Sequence, residues 1–270
     1  MSISARWDPT RHCFFVLIVS QEPTRPNGQR SSDKQIAMAI KKELSGVVPI
    51  VPTPFTANEE VDETALRNLV EFAVSSKLQA VCLPAYASEF YKLSDEEKLQ
   101  VVKIAISQSA GRIQIVAQCN SPSLKLAIKL AQANVAAGAD IISLAVPRIF
   151  GLPEASIRTY LSGFFESIPD TPVLIQDFNP GGSSLSVQLI NSLRKSYPTF
   201  KYLKLEEPLC APKFEEIIKT TEGKVGIFEG WGGLYSMELI PVGIRGIMPG
   251  LGVADILQKV FTLRKIGENE

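Results

Sequence analysis

Histidine is nearly missing from this sequence: His12 is the only one in 270 residues. It stands far along the chain from every other candidate for chemistry. Ser-His-Asp relays, Cys-His relays and histidine-rich metal sites therefore lose support. An excess of either charge is also missing, with 28 Lys+Arg against 28 Asp+Glu. That excludes a broad basic field for nucleic acid and a polybasic membrane anchor, though not a local patch. No apolar run reaches the roughly 20 residues needed to span a bilayer. The four cysteines (Cys13, Cys82, Cys119 and Cys210) form no CxxC pair, so zinc ribbons and thioredoxin-type dithiols are excluded. They read as buried or incidental thiols of a reducing compartment. GxGxxG, GxxxxGK[ST] and GxSxG are all absent, which counts against nucleotide binding and α/β-hydrolase chemistry.

What is present is an ordinary globular composition, 45% apolar and 21% charged. Residues 1–45 break its style. The short apolar run Cys13–Val19 follows Arg6 and Arg11 but has no small-residue cleavage site after it. Gln21–Lys34 is rich in Pro, Ser, Arg and Asn and reads as disordered. Two readings stand: a flexible extension, with Met38 as an alternative start, or a targeting segment. A helix is expected near Gln35–Glu43. The chain is thus divided into a poorly structured extension, 1–45, and a folded part, 46–270.

From Gly46 onward, apolar runs alternate with stretches of helical period. The runs are Val47–Val51, Ala80–Pro84, Ile113–Gln118, Ile141–Val146, Val173–Phe178, Tyr202–Glu206, Val225–Glu229 and Ile244–Met248. Most are near-continuous in apolar residues, as parallel strands covered on both faces must be. Between them, Leu66, Leu69, Val70 and Ala73 share one helical face, and so do Ala127, Ile128, Ala131 and Val135. Ser94 and Glu97 form a capping-box pattern, Ser121-Pro122 marks a helix start, and Gly138 marks a helix end. Eight such units in about 220 residues predict a (β/α)8 barrel; an open doubly wound sheet is the runner-up.

Barrel chemistry sits at the C-terminal ends of the strands. In the sixth run Leu203 and Leu205 fall on one face, and Tyr202, Lys204 and Glu206 on the other. The leucine face belongs against helices, so Lys204 belongs inside the barrel. Burial disfavours an ammonium and favours the neutral amine, a nucleophile able to form an imine with a ketone. The competing reading is a structural ion pair of Lys204 with Glu206 or with Asp177.

These residues also carry a resemblance. The stretch GVVPIVPTPF from Gly46 to Phe55, followed by Val61-Asp62, resembles the first strand and TPF turn of the dihydrodipicolinate synthase / N-acetylneuraminate lyase family. Ser88-Glu89-Phe90 and Leu93 to Lys98 are similar to its segment after the second strand. Gly138-Ala139-Asp140 is similar to its entry to the fourth, and Lys204 falls at its imine-forming lysine. The stretches Ile175 to Phe178, Leu203 to Pro208 and Gly230 to Gly233 resemble an outlying branch rather than the lysine-biosynthesis enzymes. Family members usually carry further helices after the barrel, so the fold implied is a class I aldolase barrel with a shortened C-terminal helical region.

The resemblance implies a carbon–carbon lyase or aldolase acting on a pyruvate-like 2-oxo acid through an imine on Lys204. Its rivals are a keto-deoxy sugar acid dehydratase using the same imine and a non-catalytic binding barrel. The family's relay tyrosines align with Gln176 and near Arg148-Ile149, and its carboxylate-binding arginine aligns near Gly182. Tyr86 is therefore the candidate proton shuttle, with Glu89 or Glu206 as alternatives, and Gln176 the candidate hydrogen-bonding partner of substrate or water. Thr53, the Ala87-Ser88-Glu89 turn, Arg148, Glu206 and Gly230 are the candidate substrate-binding residues. Trp231 is expected either to cap the pocket or to pack. No organic cofactor and no metal are implied, because the imine is the electron sink; an all-carboxylate Mg2+ site stays open. The expected partner is the small 2-oxo acid, without nucleic acid or membrane, in a cytoplasmic homo-oligomer if the short C-terminus permits one.

Overall fold

A computed structural model describes residues 2–8, 13–19, 43–148, 150–178, 185–208 and 210–266. It divides into two units, residues 1–43 and 44–270. In the first, strands Ser2–Asp8 and Cys13–Val19 pair antiparallel, with Asp8 opposite Cys13. The disorder expected at Gln21–Lys34, the start at Met38 and the helix expected before Glu43 lie outside the described residues.

The second unit carries eight parallel strands: β1 (Gly46–Val47), β2 (Ala80–Leu83), β3 (Gln114–Gln118), β4 (Ile141–Ala145), β5 (Val173–Phe178), β6 (Phe200–Glu206), β7 (Gly226–Glu229) and β8 (Gly246–Ile247). Their order runs β1-β8-β7-β6-β5-β4-β3-β2. Ile50, just after β1, bridges both Cys82 of β2 and Gly250 beyond β8, and so closes the ring. Among the described residues eight α-helices lie between and after the strands: α1 (Glu63–Ser75), α2 (Asp95–Ser109), α3 (Leu124–Ala137), α4 (Glu154–Ser167), α5 (Val187–Ser196), α6 (Ala211–Thr220), α7 (Ser236–Val242) and α8 (Ala254–Lys265). This is the (β/α)8 barrel, and all eight expected strands are present.

The first strand is shorter than its apolar run, because Pro49 has no N–H to give to a ladder. Its carbonyl still accepts from the Cys82 N–H at 2.9 Å, and the Ile50 N–H donates to Pro249 at 2.7 Å. The run therefore works as a barrel strand stitched by single bonds.

Two apolar layers follow from the alternation of side chains. Leu203, Leu205, Ile175 and Ile227 point outward and pack under the helices with Leu66, Val70, Val102 and Phe164. Tyr202, Leu174, Phe228, Val116 and Ile50 point inward and fill the barrel, where the Tyr202 hydroxyl accepts the Leu44 N–H at 3.0 Å. The predicted faces of α1 and α3 hold, with Leu66, Val70 and Ala73 buried on one and Ala127 and Ala131 on the other. The Ser94–Glu97 capping box is reciprocal, at 2.8 and 3.2 Å. Helix α3 starts later than Ser121-Pro122 suggests. Its cap is Ser123, while the Ser121 hydroxyl accepts the Ser123 N–H. Gly138 ends it in the left-handed region, φ 102°. On α8 and at its two ends, Val253, Ile256, Leu263 and Ile266 are exposed.

Candidate active site

Strand β6 brings Lys204 into the barrel between Gln176 of β5 and Phe228 of β7, which stand opposite it in register. The lysine is 6% exposed. Its Nζ lies 2.9 Å from Glu206 Oε1, two residues on along the same inward face. Of the two ion pairs open to it in sequence, this is the one made. Asp177 points outward and is committed elsewhere.

The carboxylate of Glu206 is held from a second side. Gln176 Nε2 donates to the same Oε1 at 2.6 Å. Gln118 Nε2, at the end of β3, donates to Gln176 Oε1 at 2.5 Å. That second bond occupies the amide oxygen of Gln176 and so leaves its nitrogen facing Glu206. Gln118 Oε1 is itself buried with no protein partner. Gly230 lies directly over this group. A methyl there would fall 2.3 Å from Glu206 Cγ and 3.0 Å from Lys204 Cε. The absence of a side chain at 230 is what makes room for the Lys204–Glu206 pair. Cys82 also faces this interior: burial pushes its thiol up to about 12, while the Lys204 charge pulls weakly the other way.

Tyr86, after β2, is one-third exposed at the rim. It packs against Phe90 at 5.1 Å and Phe178 at 5.3 Å between ring centres. Burial, then the charge of Glu206, raises its phenol above the ordinary value. Tyr86 and Phe178 share one wall of a cavity of about 330 Å3, with Phe90, Tyr91, Asn120, Pro147 and Arg148 among its other sides. Asn120 Oδ1 accepts the Ala145 N–H, and its buried Nδ2 has no protein partner.

The remaining candidates fall into place as follows. Ser88 is fully buried; its hydroxyl donates to Val51 and accepts the Ala85 N–H at 2.9 Å. Its one proton is thus used to hold the loop after β2 against β1. Thr53 donates to the Ser88 carbonyl at 2.7 Å and strengthens the same latch. Ala87 is exposed on the turn, and Glu89 turns outward to Lys92 at 2.9 Å. Arg148 lines the cavity but gives one guanidinium nitrogen to Asp177 at 2.7 Å. Trp231 is partly exposed, and its backbone N–H donates to Glu229. Ile149 and Gly182 lie outside the described residues.

The structure therefore brings together Lys204, Gln176, Glu206 and Gly230. It sets Tyr86 beside them at the rim and holds Thr53, Ser88 and Glu89 in the scaffold of the neighbouring loop. Gln118, Cys82, Asn120 and Phe178 were not picked out in the sequence. Gln118 and Phe178 carried a signal there: both end a strand on its inward parity. Among the described residues no three His, Cys, Asp or Glu side chains gather as a metal would require. No described helix is long and apolar enough to cross a membrane.

Comparison with known proteins identifies the family to which the chain belongs. The profile described as Dihydrodipicolinate synthetase family matches residues 43–254. The chain is 24% identical over 231 residues to the L-2-keto-3-deoxyarabonate dehydratase of Azospirillum brasilense, covering 83% of this chain and 74% of that one. It is 26% identical over 215 residues to an uncharacterized DapA-like lyase of Rhizobium meliloti, covering 78% and 69%. In structure it is similar to a prophage protein of the dihydrodipicolinic acid synthase family from E. coli K12, solved with pyruvate. The TM-score is 0.78 at 20% identity, over 84% of this chain and 77% of that one. The chain belongs to the dihydrodipicolinate synthetase family and is an enzyme of its class I lyase and aldolase kind, in an outlying branch.

Proposed function

We propose that the enzyme cleaves or forms a carbon–carbon bond next to the carbonyl of a pyruvate-like 2-oxo acid, through an imine on Lys204. The observation that carries this reading is one buried lysine amine at the C-terminal mouth of the barrel, paired with a carboxylate at 2.9 Å and flanked by neutral amides. Such an amine needs only to pass a proton to that carboxylate to become a nucleophile. The imine then withdraws electrons from the neighbouring carbon and stabilises the carbanion left when a bond there breaks.

The cavity beside Tyr86 receives the part of the substrate beyond that bond. Its walls are mostly aromatic and aliphatic, with Asn120, Ser121 and Arg148 among the polar groups. Tyr86 lines this cavity and feels the charge of Glu206, and the turn at Ala87 is the place for the substrate carboxylate. The three described cysteines are unpaired, in keeping with a reducing, cytoplasmic location. The exposed apolar side chains of α8 are in keeping with a homo-oligomer.

The test is reduction of the protein with borohydride in the presence of pyruvate, followed by intact mass and peptide mapping. A covalent adduct at Lys204, absent from Lys204→Ala, is the expected result. A folded protein that gives no adduct with any of several 2-oxo acids overturns the reading. Product analysis with a 3-deoxy-2-oxo sugar acid then separates bond cleavage, which releases an aldehyde, from loss of water.

A further inference from the structure

We infer that Glu206 is the acid–base residue of this reaction, moving protons at the substrate carbon beside the imine and at the oxygen across the breaking bond. The inference rests on the imine reading for Lys204 and goes one step past it.

Four observations support it. Glu206 is the carboxylate in contact with the lysine nitrogen, at 2.9 Å, so anything bonded to Nζ lies within its reach. It is largely shielded, its side chain 12% exposed, where a carboxylate acts on substrate without competition from bulk water. Its position is over-determined: Gln176 holds it at 2.6 Å, and Gln118 holds Gln176. Finally, Gly230 leaves a gap that a methyl would close, 2.3 Å from Glu206 Cγ. The other acids nearby are placed for different tasks. Asp177 is bonded to Arg148 and the Leu185 N–H, Glu229 to backbone N–H groups of its loop, and Glu89 to Lys92. The Tyr86 phenol, raised by its surroundings, holds its proton more tightly than an ordinary tyrosine.

The steps balance as follows. With the 2-oxo acid bound to Lys204 as a protonated imine, the Glu206 carboxylate takes the proton from the hydroxyl at C4. The electron pair left on that oxygen by the lost O–H bond forms the C=O double bond of the departing aldehyde, and the C3–C4 bond breaks. Its electron pair becomes the C2=C3 double bond, and the C2=N pair moves onto Nζ, giving a neutral enamine and a protonated Glu206. Glu206 then gives that proton to C3, which restores the protonated imine of the shorter acid. Run on pyruvate alone, the last step and its reverse exchange the C3 hydrogens with solvent.

The test uses the full chain and pyruvate in D2O. Nuclear magnetic resonance follows loss of the methyl protons, and borohydride trapping is run in parallel. Glu206→Gln is expected to trap pyruvate on Lys204 while exchange falls at least about 100-fold. Glu206→Asp, which keeps the carboxylate but withdraws it, recovers part of the exchange. Gly230→Ala crowds Glu206 and loses at least about tenfold, with its circular dichroism unchanged. Exchange in Glu206→Gln within threefold of wild type overturns the assignment. So does a folded Glu206→Gln that no longer traps, since Glu206 would then serve imine formation instead. Failure of the wild-type protein to trap is the distinct result that removes the imine reading itself.

Discussion

Asp177 and Arg148 form an ion pair, Oδ1 to Nη2 2.7 Å, in which the aspartate is fully buried and the arginine side chain is 15% exposed. The other oxygen, Oδ2, accepts the Leu185 N–H at 2.6 Å. One outward-facing carboxylate at the end of β5 thereby ties the residue after β4 to the start of α5, around the rim of the cavity. Removing one partner of a buried pair leaves a charge without compensation. Asp177→Ala is expected to cost about 3–5 kcal/mol in urea unfolding. A cost below about 1 kcal/mol would mean that the pair does not organise this rim.

Ring closure at β8 is equally specific. A methyl on Gly246 would lie 2.0 Å from the carbonyl oxygen of Gly46 and 2.6 Å from the ring of Phe228. Backbone cannot step aside as the end of a side chain can, and β1 and β8 pair at this point. Gly246→Ala is expected to lose more than about 3 kcal/mol or fail to fold. Gly252→Ala, whose methyl would meet nothing within 4 Å, is the control expected to unfold like wild type.

The thiols offer a chemical check on burial. Cys82 and Cys210 are pushed up to about 12 and about 11 by burial, and Cys119 is raised further. At mildly alkaline pH all three are protonated, and alkylation needs the thiolate. Iodoacetamide is expected to leave them unmodified in the native protein and to modify them after denaturation. Rapid native alkylation of Cys82 would contradict a closed barrel interior.

Glu229 supplies a pH dependence of defined sign. It is fully buried, and burial raises its carboxyl above 4.5, partly offset by the N–H groups of Gly233, Trp231 and Tyr235. Between the ordinary value and the raised one, the native state binds more protons than the unfolded chain, so stability falls as pH rises through that window. Glu229→Gln does not titrate. The stability of wild type relative to Glu229→Gln is therefore expected to be greatest on the acid side of 4.5. It declines just above that value and levels off at neutral pH. Urea unfolding of both proteins across this range checks it, and a difference independent of pH would remove the claim.

Much of this architecture was legible in the order of residues. The parity of Tyr202, Lys204 and Glu206 against Leu203 and Leu205 followed from a period of two, and all five face as it required. The Ser94–Glu97 cap and the Gly138 stop were legible because each is a contact within a few residues. The site was legible only in part. Ser88 looked like a hydroxyl offered to substrate; its proton goes to Val51, 37 residues away, which no local pattern could reveal. Arg148 looked available and is held by Asp177, 29 residues on. Gln118 showed only its inward parity, since its partner is fixed only when β3 and β5 place it against Gln176.

What the sequence determined by itself is periodic and local: eight strands, their inward faces, the helix caps, and a lysine that must lie inside. These rest on backbone geometry and on the removal of apolar surface from water, both of which repeat along the chain. What only the tertiary structure decided is which polar groups meet. Lys204 took Glu206 and left Asp177 to Arg148, and Gly230 became the space above the pair. Such choices depend on closing the barrel, because a strand must pair around the ring before side chains from separate strands come within the three ångströms at which protons are shared.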